Sequence, residues 1–102
     1  MAVLYVTEFA VLLPTPNGVA ALAKQPPLQE QTVVIGSGSL TPTYPFNVAT
    51  TLVRLHTDAV CSVEFGLAPT ATATKARMAA NQTEYFGVPP GVGWTVAVIT
   101  NS

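Results

Sequence analysis

Residues 51–65 constrain the fold most, because polar and apolar side chains alternate along them on both sides of a short polar segment. Successive side chains of a strand point to opposite faces, so Val53 and Leu55 share one face of a first strand. Cys61 and Val63 share one face of a second strand. A loop of three residues would set Leu55 opposite Cys61, so that the two apolar faces pair. The pattern therefore predicts a β-hairpin with one face in the core.

The other face of this predicted hairpin carries Arg54, His56 and Glu64. In the predicted register Arg54 and Glu64 are diagonal neighbours across the strands. A sparsely charged face of this kind suits water or a neighbouring subunit, and we identify these three residues as a candidate interface. The same register turns His56 away from Cys61, which argues against a paired thiol and imidazole acting as a nucleophilic site.

The rest of the chain continues the strand pattern and shows little helical periodicity. Short segments with strand-like composition are separated by turns rich in glycine and proline. These features predict an all-β fold, a small antiparallel β-sandwich or barrel of jelly-roll-like form, with an extended N-terminal segment. The predicted strands outside the hairpin cover residues 2–13, 31–35, 83–88 and 94–100.

A length of 102 residues indicates a single β domain spanning residues 1–102. Within it, residues 14–31 are expected to form an extended, proline-rich link. Residues 66–80 are expected to form a loop or arm, since Pro69–Thr74 is low in complexity and has little apolar surface to bury.

Charged residues make up only 9% of the chain, whereas typical soluble domains contain roughly 25%. A surface so poor in charge suits a protein that hides surface in an assembly, although a threonine-rich soluble β domain remains an alternative. The four cationic residues are scattered along the chain, and the absence of a basic stripe argues against a nucleic-acid partner.

The sequence predicts no association with a membrane. No apolar run approaches the roughly 20 residues that a membrane-spanning helix needs. A signal peptide is not expected either, because the first 20 residues contain Glu8 and no cationic side chain and are interrupted by Pro14 and Pro16.

The residue types that carry chemistry are too few to predict an enzyme. His56, Asp58 and Cys61 are the only residues of their types in the chain. Together with scattered glutamates they do not give the spacing of a metal site, and no cofactor motif is present. We expect neither a catalytic activity nor a cofactor.

Aromatic residues offer one further binding possibility. Tyr44, Tyr85 and Trp94 combine apolar area with a polar group, as sugar-binding surfaces do. Core packing is the favoured role for Trp94, whereas Tyr44 and Tyr85 join Arg54, His56 and Glu64 as candidate interface residues.

Five segments carry a resemblance to a known class of proteins: Arg54–Asp58, Cys61–Gly66, Pro69–Thr72, Thr83–Val88 and Val96–Thr100. These segments resemble small structural proteins of tailed bacteriophages. The resemblance implies a virion component, in particular a capsid decoration or cement protein. It carries no active-site residues.

As a decoration protein, the chain would bind the major capsid protein on the surface of the virion after synthesis in the host cytoplasm. It would form a homo-oligomer, a trimer or a dimer. Two alternatives remain open, a head–tail connector or tail component and a carbohydrate-binding module on the virion surface.

Overall fold

The computed structural model describes residues 2–10, 12–15, 18–23 and 27–101, and these residues form β-strands, turns and no helix. All strand pairs are antiparallel. The predicted all-β class and small sandwich architecture are confirmed. The strands are β1 (Val3–Phe9), β2 (Leu12–Thr15), β3 (Gly18–Ala23), β4 (Gln29–Val34), β5 (Leu52–Thr57), β6 (Cys61–Gly66), β7 (Ala76–Met78), β8 (Thr83–Gly87) and β9 (Thr95–Thr100).

The strands form two main sheets and one separate hairpin. Sheet I has the order β4-β1-β5-β8, and sheet II has the order β7-β6-β9. Strands β2 and β3 pair with each other and are called the arm below. The chain crosses between sheets I and II three times, from β5 to β6, from β7 to β8 and from β8 to β9.

The core lies between the two sheets and follows from the alternation of side chains along each strand. In β5, Val53, Leu55 and Thr57 are buried, while the intervening residues are half-buried. Apolar burial of this kind is the main force that holds two sheets face to face. The buried apolar cluster consists of Leu4, Val6, Val33, Ile35, Phe46, Val53, Leu55, Cys61, Val63, Met78, Val88, Val96 and Val98.

The predicted hairpin over residues 51–65 is wrong in one respect, because its two strands lie in different sheets. Strand β5 pairs with β1 and β8, and strand β6 pairs with β7 and β9. Both edges of each strand are therefore occupied by other partners. The inward faces were assigned correctly, since Val53, Leu55, Cys61 and Val63 all belong to the core, but they meet across the sandwich.

A buried threonine fixes the corner between the sheets. The Thr57 hydroxyl donates to the carbonyl of Ala59 at 2.6 Å and accepts from the Ala59 amide at 3.2 Å. It also accepts from the Cys61 thiol, with an Sγ–Oγ1 distance of 3.5 Å. These bonds satisfy polar groups at a sharp bend and direct the chain from sheet I into sheet II.

A buried carboxylate ties β1 to the long connection between β4 and β5. Glu8 is fully buried, and its Oε1 accepts from the Asn47 amide at 2.7 Å and from the Thr50 hydroxyl at 2.8 Å. Its Oε2 accepts from Gln29 Nε2 at 2.5 Å. Charged side chains are rarely buried without such partners. Glu8 therefore holds this connection against sheet I.

The arm occupies part of the segment 14–31, where an extended link was expected. In the chain, β2 and β3 lie between β1 and β4. The antiparallel pair β2–β3 therefore connects the two strands of the antiparallel pair β1–β4. Strand β4 then begins at Gln29 and returns to sheet I.

The segment 66–80 is mostly exposed but is attached to the body at several places, among them a hydrogen bond from Asn101 Nδ2 to the Ala73 carbonyl at 3.1 Å. Ala71 is buried, and its amide donates to Ser39 Oγ at 2.8 Å. Near the end of the segment, β7 pairs with β6.

Candidate interaction face

The solvent-facing side of sheet I is the strongest candidate site in the described part of the chain. We call it the outer face. Its side chains alternate with the core residues of β1, β4, β5 and β8, so their positions follow from strand geometry. The outer face comprises Tyr5, Thr7, Glu30, Thr32, Arg54, His56, Thr83 and Tyr85.

Two rows of side chains run across the strands of this face. Thr7 is paired with Glu30 on one side and with Arg54 on the other, and Arg54 is paired with Tyr85. Neighbouring strands lie about 4.8 Å apart, so Glu30 and Arg54 flank Thr7 at similar distances.

The second row lies beside the first. Tyr5 is paired with Thr32 and with His56, and His56 is paired with Thr83. The His56 Nδ1 and Thr83 Oγ1 atoms form a hydrogen bond of 2.7 Å. The rings of Tyr5 and His56 have centroids 6.1 Å apart at a tilt of 47°, a favourable arrangement for aromatic groups. The imidazole is thus held from two sides.

An open groove of about 520 Å³ lies over β1 and β4 on this face. Its walls include Tyr5, Thr32, and the two charged residues Glu30 and Arg54, with Thr7 between them. The groove therefore offers an aromatic ring, hydroxyl groups, an anion and a cation to whatever binds there.

Neither charged residue of the groove has an ion-pair partner among the described residues. Glu30 is exposed and Arg54 is half-buried. Within residues 2–10, 12–15, 18–23 and 27–101, the single ion pair joins Lys75 Nζ to Glu64 Oε2 at 2.9 Å. Arg54 and Glu30 are consequently available to an external partner.

Three of the five predicted interface residues come together on the outer face. Arg54, His56 and Tyr85 lie on adjacent strands, and Tyr85 is 56% exposed. Their role in binding stays a prediction.

The other two predicted interface residues lie elsewhere. Glu64 belongs to sheet II, so the expected proximity to Arg54 is wrong; the reason is that β5 and β6 do not pair. Tyr44 is 64% exposed and lies in the connection between β4 and β5. Gln31 fixes its backbone, with the Tyr44 amide donating to Oε1 at 3.0 Å and Nε2 donating to the Tyr44 carbonyl at 2.9 Å.

Cys61 is part of the core and is separated from His56 by sheet I. Burial raises the pKa of the Cys61 thiol, while its hydrogen bond to Thr57 acts in the opposite direction. A protonated, fully buried thiol is a poor nucleophile. The expectation that Cys61 and His56 point away from each other is correct, although the two residues lie in different sheets.

Tyr5 and Glu30 belong to the outer face but were not among the predicted interface residues. Tyr5 lies between the core residues Leu4 and Val6 on β1, and this alternation in the sequence indicates that the tyrosine faces outward. Glu30 had no comparable signal, because its position depends on the pairing of β4 with β1.

The remaining chemistry of the described residues is limited. They contain no group of three or more histidine, cysteine, aspartate or glutamate side chains that would hold a metal ion. Among these same residues there is also no helix of the length and apolarity that crossing a bilayer requires. The chain matches no known protein-family profile, no curated protein sequence and no solved structure.

Proposed function

We propose that this chain is a capsid decoration protein of a tailed bacteriophage, which binds the assembled shell and stabilises it. The structural observation that carries the proposal is the arm. The resemblance of several strand segments to phage structural proteins adds to it. In this proposal the protein sits on the capsid surface and contacts the major capsid protein.

The arm has the properties of an element that needs a partner. Strands β2 and β3 pair with each other and with no other strand of the described chain. A two-stranded ribbon alone is at best marginally stable in water. From Phe9 to Ala23 the sequence contains no charged residue, so this ribbon lacks the charged side chains that normally protect unpaired strand edges from association.

The proposed mechanism is thermodynamic. An arm that lies in a crevice between neighbouring shell subunits gains apolar burial and backbone hydrogen bonds by strand addition. If the crevice exists only in the assembled shell, binding shifts the equilibrium toward assembly by mass action.

Replacement of residues 12–23 by an Asn-Gly turn tests the proposal. The matched control is Val92→Ser, which changes an exposed apolar residue outside the arm and outside the outer face. We expect the control to co-sediment with expanded shells and to raise their melting temperature. The shortened protein should fold, as judged by Trp94 fluorescence, and fail to bind. Equal binding by both variants, or no shell binding by the full chain, would overturn the proposal.

A head–tail connector or tail component is the structural alternative. It would be present in a low number of copies set by the symmetry of the tail, whereas a decoration protein follows the number of shell subunits. Quantitative mass spectrometry of purified virions distinguishes the two.

A carbohydrate-binding module on the virion surface is supported by the groove of the outer face. Its tyrosine, hydroxyl and charged groups are the kinds that bind sugars. A glycan array should then give hits that are lost in Tyr5→Ala and retained in Tyr44→Ala. An array without hits would remove this alternative.

A further inference from the structure

We infer that the outer face of sheet I binds the outer face of a second copy of this chain, with the twofold axis running along β1. This inference concerns a different surface from the arm and stands whether or not the protein binds a capsid. It rests on the arrangement of charge about Thr7.

The two charged residues of the groove are placed symmetrically about β1. Glu30 of β4 and Arg54 of β5 are both paired with Thr7, one on each side. They are unpaired with each other and with every other described ionic group. The face therefore carries a negative charge on one side of β1 and a positive charge on the other side, both level with Thr7.

Consider two copies whose outer faces are stacked, with a twofold axis midway between them and parallel to β1. This axis places β5 of one copy over β4 of the other. Arg54 of one copy then lies over Glu30 of the second, and Glu30 of the first lies over Arg54 of the second. A face with charges of opposite sign on the two sides of the axis is complementary to itself in this orientation. The same charges would repel if the faces met with like sides superposed.

The residues on and near the axis are compatible with such contact. Thr7 of each copy meets Thr7 of the other, and the same holds for Tyr5, which is 43% exposed. His56 lies over Thr32 of the second copy, because both are paired with Tyr5. Tyrosine is enriched where one side of a ring is covered and its hydroxyl remains hydrated.

The groove supplies space for the long side chain that the symmetry brings in. It lies over β1 and β4, with Glu30 and Thr32 at the β4 side and Arg54 of the same copy at the β5 side. Arg54 of the second copy enters from the β5 side of that copy, which the axis places over β4. Each groove would thus receive the guanidinium group of the second copy beside its own carboxylate. These two groups can form a strong bidentate ion pair.

The predicted dimer is weak by itself. Only β4, β1 and β5 of each copy face a strand of the other copy. Strand β8 extends past the edge strand β4 of the second copy and faces no strand. Three strands about 4.8 Å apart and about 24 Å long cover about 350 Å² on each copy, which is less than a stable, specific interface buries. We therefore expect a concentration-dependent dimer that dissociates on dilution and with added salt.

Charge reversal in separate and mixed samples tests the inference. Sedimentation velocity of the full chain over a wide concentration range should show a monomer–dimer equilibrium. Arg54→Glu alone and Glu30→Arg alone should each weaken dimerisation about tenfold or more, since each places like charges over one another twice. The matched control is Glu84→Arg, a reversal on β8 whose side chain alternates away from the outer face.

Mixing the two single variants gives the decisive result. In a mixed dimer, the glutamate introduced at position 54 of one copy lies over the arginine introduced at position 30 of the other. The native Glu30 of the first copy lies over the native Arg54 of the second, so both attractions return. We expect the 1:1 mixture to dimerise as the unchanged chain does. Attraction within one copy cannot produce this recovery.

Three outcomes would overturn the inference: a monomer at all concentrations, a dimer insensitive to both reversals, or no recovery on mixing. The shell-binding experiment with the shortened arm has no bearing on these outcomes, because it changes a different surface. A protein that dimerises as described but does not bind shells would refute the proposed function alone.

Discussion

Glu8 and Thr50 are joined by a hydrogen bond of 2.8 Å between two buried side chains that are 42 residues apart in sequence. The bond connects a central strand of sheet I to the last residues before β5. It belongs to a set of three that satisfies the carboxylate, together with the Asn47 amide and Gln29. Since Glu8 has no cation beside it among the described residues, these donors alone stabilise its position.

Thr50→Val is expected to lower the free energy of unfolding by about 1–3 kcal/mol, because it leaves a buried acceptor short of one donor. Urea unfolding followed by the fluorescence of Trp94 measures this change. Thr43→Val, the same substitution at an exposed position of the same connection, should change stability by less than about 0.5 kcal/mol. Equal effects of the two substitutions would contradict the role assigned to Glu8.

The corner between the sheets gives a second prediction. Thr57→Val removes the hydroxyl that bonds to Ala59 and Cys61, and we expect a loss of about 1–3 kcal/mol in unfolding free energy. Chemical denaturation of the variant measures the loss. Thr57→Ser keeps the hydroxyl and should retain most of the stability. If valine were as stable as the unchanged protein while serine was damaging, the methyl group and not the hydroxyl would hold the corner.

Cys61 makes stability depend on pH on the alkaline side. Burial raises the pKa of its thiol in the folded protein. The unfolded thiol, with a pKa of about 8.5, therefore loses its proton first, and the unfolded state binds fewer protons than the folded state. The stability from the buried neutral thiol is complete below about pH 8.5 and is lost as pH rises through the folded pKa.

Unfolding free energies of the unchanged protein and of Cys61→Ala, measured in urea from about pH 7 to about pH 10.5, isolate this effect. The unchanged protein should lose more stability than the variant over that range. Parallel curves would show that the thiol titrates equally in both states.

Asn81 adopts a φ of 61° at the turn between β7 and β8. Left-handed backbone is tolerated by asparagine and glycine and costs other residues roughly 1–2 kcal/mol. We expect Asn81→Ala to lower the unfolding free energy by about 1 kcal/mol and Asn81→Gly to be close to neutral. Thermal unfolding of the two variants provides the comparison, and an alanine variant as stable as the glycine variant would refute it.

The orientation of side chains could be predicted from the alternation along each strand. The pairing between strands could not be predicted in this way. The outward direction of Arg54 and His56 and the inward direction of Val53 and Leu55 follow from a period of two residues. The error at residues 57–59 arose because apolar faces meet equally well within a hairpin and across a sandwich. The alternation of side chains is compatible with both arrangements. They are distinguished only by the pairing of β5 with β1 and β8, which leaves no edge of β5 for β6.

The candidate site was predicted in part for the same reason. Arg54, His56 and Tyr85 were identified one by one, whereas their assembly with Tyr5 and Glu30 depends on pairings between strands distant in sequence. Glu8 carried a signal that was not used, since it shares the parity of Leu4 and Val6 on β1. A carboxylate at a core position indicates buried donors nearby.

The three crossings between sheets have a consequence for how fast the chain folds. Val6 of β1 is paired with Leu55 of β5, and Val63 of β6 is paired with Val98 of β9, so both pairings join residues that are distant in the sequence. Chains dominated by such distant pairings fold on the scale of milliseconds to seconds, because loop entropy is lost before the contacts form. We therefore expect slow refolding in which the arm, a local hairpin, contributes little to the rate.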